Sequence, residues 1–121
     1  MSYPLFTYQA RVVKVVDGDT IDVVLDAGFH STRTERLRLL GVNAPEMHGP
    51  SHDDGQAAKD FTLKTLTSWG AFDTQSWPLL ISTEKSDVFG RYLALVTPKS
   101  DPSVDLSNEL YKSGHAVHFK G

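Results

Sequence analysis

ERLRLLGVNAPEMHGP, residues Glu35 to Pro50, is where an alternating run gives way to a segment full of turn residues. Successive side chains of a strand point to opposite faces, so Leu37 and Leu39 fall on one side and Arg36, Arg38 and Leu40 on the other. Arg38 therefore leaves the strand on a fixed side. Further on, Pro45 pulls Ala44 toward extended geometry, and Gly49-Pro50 marks a second turn. From His52 to Trp69 the composition shifts to Ala, Lys, Gln and Asp, and Ala58, Phe61, Thr65 or Leu66 and Trp69 recur at helical spacing. That predicts a helix of about four or five turns, ended by Gly70.

Upstream, Thr7 to Val16 and Ile21 to Leu25 are rich in β-branched residues and read as two strands around the turn DGDT, with Glu35 to Val42 as the third. Downstream, Leu79 to Thr83 and Tyr92 to Thr97 read as two more strands around EKSDVFGR, and Pro98 closes the last. Asp105 is placed to cap a short helix through Tyr111, with Lys112 in its last turn and Gly114 just beyond. The order is three strands, a helix, two strands and a helix. It predicts a β-rich α+β fold: a five-stranded OB-type Greek-key barrel with a helix after strand 3 and a short C-terminal helix. A parallel βαβ sheet fits less well, since only one helix-length crossover exists. No internal repeat or low-complexity linker is seen, and one domain is expected over residues 1–121.

Apolar residues make up 40% of the 121 and charged residues 22%, the proportions of a soluble globular protein. No apolar run approaches the length needed to span a bilayer. The absence of cysteine excludes disulfides, thiolate metal sites and a cysteine nucleophile, and leaves the compartment open. MSYPLFTYQARVV lacks a basic segment followed by a long apolar core, so no secretory signal is expected there. A formal net charge of -3 argues against coating nucleic acid through bulk positive charge. Local groups could still bind phosphate: Arg11 and Lys14, then Arg33, Arg36 and Arg38, then Lys85 and Arg91.

VVDGDT, Val15 to Thr20, sets two acids around a glycine. Taken alone it is a tight turn in which Gly18 takes positive φ and the aspartates bond nearby amides. It falls far short of an EF-hand loop. Of the five histidines, His48 and His52 are the nearest metal-compatible pair, but Gly49-Pro50 between them prevents the helix that would align them. Phe6, Tyr8 and Phe29 read as barrel or edge packing.

Three segments taken together, DGDT, RLLGVNAPE and DVFGRYLA, resemble the staphylococcal, or thermonuclease-like, nuclease family, in an alignment running from about Gln9 to Val117. The resemblance implies a Ca2+-dependent phosphodiesterase on an OB-type barrel, cutting single-stranded or frayed DNA and RNA. It implies that Asp19 is a metal ligand, that Glu46 serves the attacking water, that Arg38 and Arg91 bind the phosphate under attack, and that Asp17 is a supporting acid beside Thr20. Such roles suit the chemistry, because charge builds on phosphoryl oxygens and guanidinium groups offer forked, permanently charged donors.

The chain departs from the family pattern at Asn43, where a second metal carboxylate is expected, and at Ala44, which would bind through its backbone carbonyl. An amide oxygen can coordinate calcium but brings no negative charge, so weaker metal binding is expected. The family's base-stacking tyrosines are not matched by HAVHFKG, where His118 or Phe119 is the available ring. Lys85 is read either as a phosphate contact or as a solvated loop charge. Two rival functions stand beside the nuclease: a catalytically weakened nucleic-acid or protein interaction module, and a barrel that binds a carbohydrate or peptide.

Overall fold

In the computed structural model the described residues are 6–45, 52–84 and 92–118. Strands β1 (Phe6–Asp17), β2 (Thr20–Gly28) and β3 (Ser31–Leu39) form an antiparallel meander. A two-residue strand β4 (Val42–Asn43) and helix α1 (His52–Ser68) follow, then β5 (Leu79–Glu84), β6 (Tyr92–Pro98), helix α2 (Leu106–Lys112) and a second two-residue strand β7 (Val117–His118). The barrel closes in the order β1-β2-β3-β6-β5, with β5 returning to β1. The seam between β3 and β6 is parallel, pairing Leu37 with Tyr92 and Leu39 with Ala94. This is the expected OB-type α+β fold, with one helix after strand 3 and one near the C-terminus.

β1 serves two neighbours because it bends. Its first half, Phe6 to Ala10, pairs with β5, and Ala10 to Asp17 pairs with β2 across register shifts at Val12/Lys14 and Val15/Asp17. Such irregularities add the curvature that a closed sheet needs. Period two then sorts the side chains: Ala10, Val12, Ile21, Val23, Leu25, Leu37, Leu39, Leu79, Ile81, Ala94 and Val96 are all buried. They form one apolar cluster with Ala58 and Leu66 of α1 and Leu106 and Leu110 of α2.

Both helices stop as their sequences require. Gly70 has φ +67°, its N–H donates to the Thr67 carbonyl at 3.0 Å, and the Ala71 N–H donates to Leu66 at 3.0 Å. Gly114, φ +83°, repeats the pattern with Tyr111 and, through His115, with Leu110. These are Schellman closures, in which only a residue free of Cβ strain enters the left-handed region. At the start of α2 the Asp105 carboxylate accepts from the Asn108 N–H at 2.7 Å, as expected. No helix among the described residues is long and apolar enough to cross a membrane.

Three expectations need correction. Glu35 to Val42 is not one strand: β3 begins at Ser31 and ends at Leu39, Gly41 turns at φ +83°, and Val42–Asn43 leaves the barrel to pair with β7. Phe29 does not pack; it is fully exposed at the β2–β3 tip, where Phe29 and His30 both have positive φ. Gly18 is not among the positive-φ glycines, which among the described residues are Gly28, Gly41, Gly70 and Gly114. Its reason is space. A Cβ built on Gly18 would lie 2.7 Å from the Ala58 Cβ and 3.1 Å from the Ala44 Cβ.

The Gly18→Ala variant should lose about 1–3 kcal/mol, the cost of overpacking a tight contact, read by urea denaturation. Ala58→Gly in the same chain should restore part of that loss, so that the double variant is less destabilised than the sum of the singles. Strict additivity would show that the two residues do not meet.

Candidate active site

The DGDT turn is held from beneath by α1. Thr62, fully buried, donates its hydroxyl to the Gly18 carbonyl at 2.6 Å, and the Val12 N–H, beside the β1 irregularity, donates to the Ala71 carbonyl at 2.8 Å. The turn that carries Asp19 is therefore anchored by a helix some forty residues away in sequence, as the separation of 44 between Gly18 and Thr62 records.

Asp19 is 6% exposed and its carboxylate accepts three hydrogen bonds. Oδ1 accepts from the Thr20 hydroxyl at 3.1 Å; Oδ2 accepts from the Ala44 N–H at 2.9 Å and from Arg38 Nη2 at 3.2 Å. The Asp19 carbonyl accepts from the Leu39 N–H at 2.8 Å. One acid thus joins the first turn, the end of β3 and the segment after β4. Buried carboxylates require such partners, and a charged hydrogen bond is stronger than a neutral one.

Arg38, 8% exposed, leaves β3 on the face opposite Leu37 and Leu39, as the alternation requires. Its Nη2 also donates to Asn43 Oδ1. Asp19 Oδ2 and Asn43 Oδ1 therefore converge on one cationic nitrogen. Hard oxygens aimed at a positive centre are the right donor chemistry for calcium, with one formal negative charge between them instead of two. Among the described residues no group of three or more His, Cys, Asp or Glu could hold a metal ion.

The structure brings together Asp19, Thr20, Arg38, Asn43 and Ala44. Asp17 ends β1 opposite Thr20 and contributes to the field at Arg36, whose proton is held above the usual range mainly by its hydrogen bond to Asp22. Glu46, Arg91 and Lys85 lie outside the described residues, as do His48 and Phe119. The arginine cluster is a set of ion pairs: Arg33 with Glu35, Arg36 with Asp22 at 2.8 Å, and Arg38 with Asp19 at 3.2 Å. Arg11 stacks over Trp77 at 4.6 Å. His115 packs against Phe61 at 4.9 Å and His118 against Tyr111 at 3.6 Å between centroids, so both rings already have aromatic partners.

Sequence reading missed Thr62. The available signal was its place four residues after Ala58, which puts both on one helical face, a small residue and a hydroxyl together.

No family model matches the chain. It is similar to a thermonuclease of Staphylococcus intermedius, 39% identical over 88 residues that cover 70% of this chain and 46% of that protein. A thermonuclease of Staphylococcus hyicus is 35% identical over 89 residues, covering 71% and 46%. An uncharacterized protein of Methanocaldococcus jannaschii is 31% identical over an alignment of 132 residues, covering 90% of this chain and 58% of the relative. The chain spans about half the length of the curated relatives it matches.

Thr62→Val keeps the side-chain shape and removes the only hydroxyl donated to Gly18 among the described residues. It should destabilise by about 1–3 kcal/mol, the penalty of an unsatisfied buried carbonyl. Thr67→Val, which removes an exposed bond to Leu63, should stay within about 0.5 kcal/mol of the parent. Chemical denaturation of the pair measures the difference.

Proposed function

We propose that this chain, which belongs to the thermonuclease-like family, hydrolyses phosphodiester bonds in single-stranded or frayed DNA and RNA with a water nucleophile and Ca2+. The observation that carries the reading is the convergence of Arg38, Asp19 and Asn43 beside Ala44, two residues before Glu46. Asp19 holds the guanidinium in place before substrate arrives, so little reorganisation is left for the reaction.

Arg38 binds the phosphate under attack and offsets the charge that grows on its oxygens. Arg91, the residue that immediately precedes β6 in sequence, supplies the second guanidinium. Glu46 takes a proton from the attacking water as the new P–O bond forms, while the leaving oxygen is protonated from solvent. Asp17 and Thr20 support Asp19, and Lys85 contacts the phosphate backbone. Asp19, Asn43 and the Ala44 carbonyl would hold the Ca2+, which when bound polarises the phosphoryl oxygen as a Lewis acid.

A second reading, a barrel that binds nucleic acid or protein with weakened catalysis, is favoured by Asn43, whose amide oxygen already serves Arg38. One assay separates the two. Single-stranded DNA is incubated with the protein in excess calcium and in chelator, beside Glu46→Gln and Arg38→Ala. The nuclease reading expects cleavage only with calcium and its loss in both variants; binding without cleavage at any metal concentration overturns it.

The metal site makes its own prediction. Asn43→Asp should tighten calcium binding by about tenfold, since affinity at oxygen sites follows ligand charge. Calorimetric titration of both proteins decides it, and equal affinities would remove Asn43 from the ligand set.

A further inference from the structure

The inward-facing positions of the barrel do not end where its apolar core ends. Tyr8 lies two residues before Ala10, Ala27 two after Leu25, Thr83 two after Ile81 and Tyr92 two before Ala94, while Arg33 and Glu35 precede Leu37 at the same spacing. All six share the parity of the core, because side chains alternate along each strand. They make one more layer, and among the described residues that layer is not filled. It encloses a cavity of about 250 Å3 over a floor of Leu25 and Leu37.

The chemistry of the walls selects the occupant. Tyr8 and Tyr92 are half-buried and pack against the core, presenting aromatic surface from β1 and β6. Across from β1 and β5, the Arg33 guanidinium and the Glu35 carboxylate are bonded to each other. Among the described lining residues these are the two charged groups, and their charges cancel. Together they place donors and an acceptor side by side, the combination that reads the polar edge of a base, with Arg matching acceptors on guanine and Glu the amino group of cytosine. Aromatic side chains supply the stacking surface that single-stranded nucleic acid uses.

We propose that the open mouth of the barrel is a binding pocket for one neutral planar heterocycle, a nucleobase of the bound strand. Choosing a base over other planar rings rests on the nuclease reading. The layout permits the strand to pass from one site to the other: Glu35 lies three residues before Arg38, about 10 Å along β3. Among the described residues β6 pairs with β3 at Leu37, Arg38 and Leu39, which follow Arg33 and Glu35 on the same strand.

The test uses the full chain in chelator with neutral nucleosides, adenosine, guanosine, cytidine and thymidine, titrated by NMR. At least one should saturate, with shifts centred on Tyr8, Glu35, Thr83 and Tyr92. Tyr8→Leu or Tyr92→Leu should weaken it about tenfold, the scale of one lost stacking contact, and the isosteric Glu35→Gln should reorder the nucleoside preference while leaving the thermal midpoint in place. No saturable shift with any nucleoside, shifts that map elsewhere, or an unaltered preference in folded Glu35→Gln overturns the proposal. Cleavage of DNA without nucleoside binding would sink the pocket and spare the nuclease; nucleoside binding without cleavage would do the reverse.

Discussion

The site depends on one close approach, that of the Gly18 backbone to Ala58. Only a glycine lets the first turn come so near α1, and only a small residue at position 58 receives it. The Thr62 hydroxyl then satisfies the Gly18 carbonyl that this burial takes from water. With the turn fixed at that depth, Asp19 faces the end of β3 and the segment after β4. A larger residue on either side would push the helix outward and carry the acid with it.

From Asp19 the organisation spreads electrostatically. A buried carboxylate is stable only when its lone pairs are used, and this one binds a hydroxyl, a backbone N–H and a guanidinium from three separate segments. The same economy governs the other arginines of β3, each matched by an acid on its own or the adjacent strand. In a chain of net charge -3, the positive charge of these arginines is thus placed and held locally by paired acids.

Much of this was legible in the sequence, and what was not has physical reasons. Helix stops at Gly70 and Gly114 and the Asp105 cap depend on single residues whose backbone or side-chain chemistry is distinctive. The face carrying Leu37 and Leu39 followed from alternation. The start of β3 did not, because Ser31 to Thr34 are exposed on both faces and leave no apolar period to read. β4 was hidden because its partner β7 is distant in sequence, and pairing of two-residue strands leaves no pattern. Gly18 was misread for an instructive reason: a glycine beside aspartates suggests a turn conformation, whereas here it marks a neighbour too close for a side chain. At the proposed catalytic centre, types of residue could be named in advance, but the mutual bonding of Arg38, Asp19 and Asn43 is a property of the closed barrel.

The parallel seam between β3 and β6 also bears on how the protein assembles. The meander of β1, β2 and β3 uses near neighbours, whereas Leu37 must find Tyr92 across more than half of the remaining chain. Pairings of that range are entropically costly and slow to form. Arg38 stands on one side of the seam, and position 91 immediately precedes the strand on the other. Until the seam closes, Leu37 to Leu39 lack the partner strand that completes the barrel. Arg38, opposite Leu93 across that seam, is thereby tied to the closure of the barrel.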